Sequence, residues 1–372
     1  MRFRVWGLML GVCAAAAAPA SAVVVANADT SDVQARTVCF VAHNGDDPVA
    51  VDVTGTIFTP RHYSASTPVV LGVHGFGGDR TVFDGWFFGP TRAGSFARLL
   101  AASGYVVVTY DQIGFGQSPY VRPAGSGFSI TMDNELGALH EVVTQVRAGA
   151  FRVDATGACP GGAGAPFGFR HVVLLGHSAG GLLTDTYAGR YHDIDALISV
   201  ANTFVADDDL TEDVLNPWLI PQLQAGNDYP TFMPPNPSGL VSTQCLEFFF
   251  YRPAGHSPLL DAACANRRLE SVPGGNLISV GDITTEEQAG VASVGHIPVL
   301  MVFADRDRIF VGPKLASAKR PDTVTPFIAY WRTHCGCTVT VHTQPNTGHY
   351  LFLQGTMPST ADFVEDWLDR SL

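Results

Sequence analysis

The chain of 372 residues is 46% hydrophobic and only 15% charged, which suits one large globular domain with room for a smaller inserted one. Its formal net charge of −12 supplies no basic stripe for phosphate groups, so the composition predicts no nucleic-acid partner.

The first 22 residues have the pattern of a secretory signal peptide. Arg2 and Arg4 precede a short alanine-rich apolar run, and Ala20-Ser21-Ala22 forms a small-residue cleavage site. The run is too short to favour a stable membrane anchor. We therefore predict removal of residues 1–22 on export and a mature protein that is extracellular or periplasmic.

Cysteine usage fits an exported protein. Without the signal peptide an even set remains, and this favours disulfides: Cys39, Cys159, Cys245, Cys264, Cys335 and Cys337. We predict no free thiols and one bond between Cys245 and Cys264. A zinc site at Cys335-Gly336-Cys337 is the alternative, disfavoured because the chain has no C-x-x-C pair and no H-E-x-x-H motif.

Strands and helices are predicted to alternate along most of the chain. Segments 37–42 and 49–58 flank the turn-forming Asn44-Gly45-Asp46-Asp47, which favours an antiparallel pair at one edge of a sheet. Further strands are predicted at 69–73, 105–110, 171–175, 194–200, 297–303 and 338–342, helices at 94–102, 133–147, 313–331 and 360–369, and a surface loop at 154–169. This alternation predicts an α/β fold with a mostly parallel central sheet flanked by helices.

The alternation stops between residues 203 and 290, a stretch rich in proline and in aromatic clusters. A connection of this length is not a plain loop inside a compact domain. We predict an inserted cap at 203–290, between a first core part at 23–202 and a second core part at 291–372.

The segment Gly176-His177-Ser178-Ala179-Gly180 joins a predicted buried strand to a predicted helix. Its glycines remove Cβ atoms that would collide in a sharp turn. The G-x-S-x-G turn of some hydrolases presents its serine above the sheet in this way. A chance match in a glycine-rich chain is the alternative, and the remaining motifs decide between the two.

A second glycine-rich turn, His74-Gly75-Phe76-Gly77-Gly78, follows the strand predicted at 69–73. Glycines let the backbone approach a ligand, and preorganised N–H groups stabilise an oxyanion. We predict an oxyanion hole formed by the N–H groups of Phe76 and Ala179. An ordinary glycine turn is the alternative.

The last two predicted strands each lead into a loop with a candidate catalytic side chain. Asp307 lies furthest out on the first loop and is predicted to orient an imidazole, with Asp305 as its rival. His349 is the predicted base on the second loop. Ser178, Asp307 and His349 occur in the chain order of nucleophile, acid and base in the elbow hydrolases, which favours Ser178 as a nucleophile.

With these motifs the chain resembles the α/β-hydrolase superfamily over essentially all of its mature sequence. Residues 111–118 resemble the superfamily's D-x-x-G-x-G-x-S segment, and residues 297–307 resemble its strand-and-acid segment, with Ala304 in place of the usual glycine. The resemblance implies an α/β-hydrolase fold and a serine triad, and it is strongest to exported bacterial and fungal hydrolases.

We therefore predict a secreted serine hydrolase that cleaves carboxylic esters through an acyl-enzyme, with no cofactor and no metal. The predicted partner is an apolar small-molecule ester. Candidate pocket residues are Trp86, Phe248, Phe249 and Phe250, which alternatively fill the core between cap and body. A serine peptidase or amidase, or a lactonase, would use the same triad, and a non-catalytic binding protein on this fold is the least favoured alternative.

Overall fold

A computed structural model of the chain describes residues 30–85, 94–118, 126–154, 159, 162–203, 240–242, 271–307 and 324–372. The predictions for the signal peptide, the Cys245–Cys264 bond and the pocket residues Trp86, Phe248, Phe249 and Phe250 lie outside these residues. Within them, a ten-stranded sheet forms the centre of the molecule.

The sheet consists of β1 (Gln34–Ala42), β2 (Val51–Thr59), β3 (Val69–Val73), β4 (Val106–Tyr110), β5 (Arg152–Asp154), β6 (Ala163–Gly164), β7 (Val172–His177), β8 (Ala196–Val200), β11 (Pro298–Ala304) and β12 (Thr338–Gln344). A separate two-stranded ribbon pairs β9 (Leu240–Ser242) with β10 (Ser271–Pro273). The strand order in the large sheet is β12-β11-β8-β7-β3-β4-β2-β1-β5-β6.

Six neighbouring strands, from β12 to β4, run parallel, whereas the pairs from β4 to β6 are antiparallel. The predicted mostly parallel sheet is therefore confirmed. The predicted antiparallel pairing of β1 with β2 is observed, but its predicted position at the edge of the sheet is wrong. The short strands β5 and β6 pair beyond β1, because part of the loop predicted at 154–169 extends the sheet.

Both faces of the sheet are buried. In β3, Val69, Leu71 and Val73 face one apolar cluster while Val70 faces the other. This alternation follows from the period of two in a strand. It explains why the central strands are continuous apolar runs, as expected for parallel strands covered on both sides.

The helices form two layers. One face of the sheet carries α1 (Phe96–Ala102) and α6 (Met357–Ser371), and the other carries α2 (Met132–Ala148), α3 (Ala179–Tyr191), α4 (Gly274–Gly290) and α5 (Val324–His334). Helix α4 occupies the end of the predicted cap insertion and packs against α3 and α2. The division into core and cap stays a prediction.

Disulfides join Cys39 to Cys159 and Cys335 to Cys337. The first fastens β1 to a residue 120 positions later in the chain. The second closes a loop of only two positions between α5 and β12. None of the helices in the described part of the chain combines the length and the apolar character needed to span a bilayer.

Candidate active site

The predicted site residues follow strands whose carboxyl ends lie at one edge of the sheet. Ser178 follows β7, the glycine-rich turn at 74–78 follows β3, and the loops that carry Asp307 and His349 follow β11 and β12. Because β3, β7, β8, β11 and β12 are parallel, their carboxyl ends meet at the same edge. Ligands of open α/β sheets bind outside this edge.

Ser178 lies at a strained turn between β7 and α3. Its backbone has φ 56° and ψ −123°, a left-handed conformation that costs a non-glycine residue about 1–3 kcal/mol. Its N–H donates to the carbonyl of Val200 at 2.9 Å, which fixes the turn to β8. In the described structure its hydroxyl makes no capping hydrogen bond to α3. The side chain is thus presented for another use.

The glycines on either side of Ser178 are sterically required. A Cβ atom at Gly176 would lie 2.2 Å from the carbonyl oxygen of Gly180, and one at Gly180 would lie 2.2 Å from the carbonyl oxygen of Val73. Both distances are far below a van der Waals contact. The sequence pattern therefore reports a close approach of β7, α3 and β3.

The turn at 74–78 packs directly against Ser178. A Cβ atom at Gly75 would lie 2.7 Å from the Cβ atom of Ser178. The peptide that carries the Phe76 N–H is fixed by His74, whose Nδ1 lies 3.0 Å from the Gly75 carbonyl oxygen. Ala179 opens α3, and its N–H is among the first amides of the helix, which have no acceptor within the helix. Both predicted oxyanion donors are therefore close to Ser178 in the chain or in space.

His349 and Asp307 form a buried pair. Nδ1 of His349 lies 2.8 Å from Oδ2 of Asp307, and both side chains are at most 2% exposed. The rival Asp305 is engaged elsewhere: its Oδ1 accepts the N–H of Thr347 at 3.2 Å, and its Oδ2 lies 3.6 Å from Nε of Arg306. The geometry favours Asp307 as the partner of the imidazole and gives Asp305 a role in joining the two loops.

His177 holds the backbone of the loop that carries His349. Its fully buried ring donates from Nε2 to the carbonyl oxygen of His349 at 2.9 Å. Burial, with a smaller contribution from the charge of His349, lowers the pKa of His177 to about 3. His177 is therefore neutral at neutral pH, and because a carbonyl only accepts, the proton of its ring is on Nε2.

Comparison with known proteins bears on the family and the fold. The model of the Alpha/beta hydrolase family matches residues 70–363, which is more than half of the chain. The chain belongs to the α/β-hydrolase family. A search of the curated proteins found no match.

Solved structures share the α/β-hydrolase fold with this chain at low sequence identity. A thermophilic esterase from Thermogutta terrifontis has a TM-score of 0.58 at 15% identity, over 90% of this chain and 98% of that one. A monoglyceride lipase from Saccharomyces cerevisiae has a TM-score of 0.55 at 15% identity, over 89% and 94%. A carboxyl esterase from Bacillus coagulans has a TM-score of 0.53 at 16% identity, over 91% and 98%. At this identity the likeness confirms the predicted fold.

In this α/β-hydrolase the segment 111–118 forms hydrogen bonds to the glycine-rich turn and to the residues that follow it. The Gln112 N–H donates to Nε2 of His74 at 3.1 Å, so Nδ1 of His74 carries the proton and donates to Gly75. Asp111 accepts the backbone N–H groups of Arg80 and Gln117 at 2.8 and 2.7 Å and forms an ion pair with the Arg80 guanidinium. The family motif thus has a structural role here.

Sequence reasoning missed the roles of His177 and Tyr350. His177 was noted only as part of the glycine-rich turn, and Tyr350 was not singled out. Their positions next to Ser178 and His349 were the available signal. The sequence does not show that His177 bonds the carbonyl of His349 or that Tyr350 bonds the carbonyl of Phe76, because each bond joins two loops that are distant along the chain.

Within the described ranges no three His, Cys, Asp or Glu side chains cluster closely enough to hold an ion. Cys335 and Cys337, the core of the alternative zinc site, are bonded to each other.

Proposed function

We propose that the protein is an exported serine hydrolase that cleaves carboxylic esters through an acyl-enzyme. The observation that carries the proposal is the buried hydrogen bond of 2.8 Å between His349 and Asp307, at the sheet edge where Ser178 occupies its strained turn. Esterases and lipases among the structural relatives support the choice of an ester substrate.

In the proposed mechanism Ser178 Oγ attacks the acyl carbon and His349 accepts its proton at Nε2. Nδ1 of His349 carries a proton toward Asp307, because a carboxylate only accepts. That leaves Nε2 as the basic nitrogen. Asp307 stabilises the imidazolium that forms, and the imidazolium then protonates the leaving alcohol. Water, activated by the same imidazole, releases the acid.

The Phe76 and Ala179 N–H groups stabilise the oxyanion of both tetrahedral intermediates. Ala179 contributes the amide after the nucleophile, at the positive end of α3. Phe76 contributes the amide of the turn that packs on Ser178. Loss of one such donor costs about 10²–10³ in kcat in serine hydrolases.

Export is supported by the N-terminal signal pattern and by the disulfide between Cys39 and Cys159. Disulfides persist in oxidising compartments and are rare in the cytosol. We propose that residues 1–22 are removed and that the mature enzyme acts outside the cytoplasm.

The proposed substrate is an apolar small-molecule ester whose acyl group is selected by the segment at 203–290. This insertion begins after β8, at the carboxyl-end edge of the sheet, so it is well situated to cover Ser178. Trp86, Phe248, Phe249 and Phe250 are the proposed apolar lining. An apolar pocket discriminates modestly, by about 1–3 kcal/mol per contact.

A rate panel tests the proposal. The mature enzyme and Ser178→Ala are assayed on p-nitrophenyl esters of graded chain length and on matched anilides and lactones. We expect ester turnover that Ser178→Ala abolishes. Faster turnover of anilides or lactones than of esters would indicate an amidase or a lactonase. Ester turnover retained in Ser178→Ala would refute the proposed chemistry. Alanine at Phe248, Phe249 or Phe250 is expected to change the preferred acyl chain length. The rate on p-nitrophenyl acetate should stay nearly the same.

A further inference from the structure

Tyr350 links the loop of the proposed base to the proposed oxyanion loop. It directly follows His349, and its hydroxyl donates to the carbonyl oxygen of Phe76 at 2.8 Å, across 274 positions of sequence. A Cβ atom at Gly78 would lie 3.5 Å from the same hydroxyl, so the edge of the tyrosine also lies along the turn. The side chain is only 5% exposed.

The position of the Tyr350 ring is fixed by its other neighbours. Its centroid lies 5.0 Å from that of His177, the residue before the candidate nucleophile. Its backbone carbonyl accepts Nε2 of Gln354 at 3.1 Å. Gln354 in turn accepts the N–H of Gly348, the residue before His349. The Tyr350 hydroxyl therefore contacts Phe76 from a loop that is itself fixed by hydrogen bonds.

Together these contacts form a closed circuit of three loops. The ring of His177, the residue before Ser178, hydrogen-bonds to the backbone of His349. The hydroxyl of Tyr350 hydrogen-bonds to the backbone of Phe76. Gly75, the residue before Phe76, packs against Ser178. A loop held on both sides has little freedom to rotate its peptide groups. The carbonyl that Tyr350 binds belongs to the residue whose N–H is the proposed oxyanion donor.

We propose that Tyr350 is a positioning residue that aligns the Phe76 N–H with the oxyanion. The inference rests on the proposed function, because it assumes the role of Phe76. The hydroxyl of Tyr350 bonds a backbone carbonyl on the side of Phe76 away from its N–H, so it acts through the loop. Donors aligned in advance stabilise the transition state more than the bound ester. Loss of the hydroxyl therefore lowers kcat and leaves KM nearly unchanged.

The test compares Tyr350→Phe with Tyr105→Phe. Each substitution removes one buried hydroxyl and keeps the ring. Tyr105 is a matched control because its hydroxyl bonds Asp369 of α6, on the layer formed by α1 and α6. Both variants are measured for kcat, KM, the pH profile of kcat/KM, the melting temperature, and inhibition by phenylboronic acid, whose tetrahedral adduct resembles the intermediate.

For Tyr350→Phe we expect kcat to fall about tenfold or more, a smaller loss than deletion of a whole donor. We also expect KM to stay within about twofold and the boronic acid inhibition constant to rise in parallel with the loss of kcat/KM. The acid limb of the pH profile stays in place, because the bond that is removed goes to the carbonyl oxygen of Phe76. Tyr105→Phe keeps the wild-type kcat.

Wild-type kcat in Tyr350→Phe, a rise in KM alone, or a shifted acid limb would each overturn the proposal. The last would assign Tyr350 to the base rather than to the oxyanion loop. Ser178→Ala, run in the same assay, separates the two levels of failure. If that variant is inactive while Tyr350→Phe matches the wild type, the proposed function stands and only the role of Tyr350 is lost.

Discussion

At the scale of single residues, the imidazole of His349 is held from two directions. Asp307 binds its ring nitrogen, and His177 binds its backbone carbonyl. The two other buried histidines at the site are neutral: burial lowers the pKa of His177 to about 3 and that of His74 to about 4. Neither adds a positive charge that would disfavour protonation of His349 during turnover.

The two aspartates of the acid loop should differ sharply in their effect on catalysis. Asp307→Asn replaces the carboxylate that accepts from His349 and should lower kcat by about 10³–10⁴, as loss of the orienting acid does in other triads. Asp305→Asn is the control, since it changes a side chain that contacts Thr347 and Arg306, and should cost less than about tenfold in kcat. Steady-state kinetics on one ester measure both, and a larger loss for Asp305→Asn would reverse the assignment.

At the scale of elements, the turn from β7 to α3 leaves no room for side chains at its glycines. We expect Gly180→Ala to destabilise the protein by about 3 kcal/mol or more, because its methyl group would overlap the Val73 carbonyl. Gly137→Ala is the matched control. Gly137 lies inside α2 and an added Cβ would meet nothing within 4 Å, so the substitution should stabilise by about 1 kcal/mol.

Urea unfolding of both glycine variants measures these changes. Equal, small effects would mean that β3 and α3 can separate at the turn without cost, contrary to the packing described. Opposite signs are the expected result, because only one of the two glycines is required by its surroundings.

The elements that were predicted well are those with a strong local signal. β3 was predicted with its observed bounds, and α2 within one residue at each end, because apolar runs and helical spacing are properties of the local sequence. β5 and β6 were missed because they are short and lie in a segment of Gly, Ala and Pro. Their pairing depends on the neighbouring strand β1, which a local pattern does not report.

In the candidate site, too, the features with a local sequence signal were predicted and those that depend on packing were missed. Glycine-rich turns and chain order pointed to Ser178 and His349, whereas the bonds made by His177 and Tyr350 depend on three-dimensional packing. The choice between Asp305 and Asp307 was open in the sequence for the same reason. Only the arrangement of β11 beside β12 brings one carboxylate to the imidazole.

At the scale of the whole molecule, the Cys39–Cys159 disulfide closes a loop of 120 positions, and the Cys335–Cys337 disulfide closes one of two. In the chain-entropy account stabilisation grows with loop length. Replacing Cys39 and Cys159 by serine should cost about 2–5 kcal/mol of unfolding free energy. Serine at Cys335 and Cys337 is the control and should cost much less. Comparable losses in the two variants would contradict this expectation.

A buried acidic pair joins α3, the helix that follows Ser178, to α4. Asn202 Nδ2 donates to Asp185 at 2.9 Å and to Glu287 at 3.3 Å, so the two carboxyl groups share one donor. Burial raises the pKa of Asp185 to about 6 and that of Glu287 well above its ordinary value. The folded protein therefore holds protons that the unfolded chain releases at lower pH.

The sign of the pH dependence follows from this difference. Where the folded state binds more protons, unfolding free energy falls as pH rises, by up to about 1.4 kcal/mol per pH unit for each proton. We expect the wild type to lose stability as the pH rises from about 4, where the carboxyls of the unfolded chain ionise, through the Asp185 value of about 6, and Glu287→Gln to have a shallower slope. Asp282→Asn, a change at an exposed carboxyl on the same helix, should keep the wild-type slope. Parallel curves for Glu287→Gln and wild type would refute the coupling.

The central claim is that Ser178 is the nucleophile of an ester hydrolase, and covalent labelling tests it most directly. The mature wild type and Ser178→Ala are treated with a fluorophosphonate, digested, and mapped by peptide mass spectrometry. A serine activated by His349 beside an oxyanion hole attacks the phosphorus, expels fluoride and keeps the phosphonyl group. We expect one adduct, on Ser178, and none in Ser178→Ala. An unmodified Ser178, or an adduct on another residue that persists in Ser178→Ala, would contradict it.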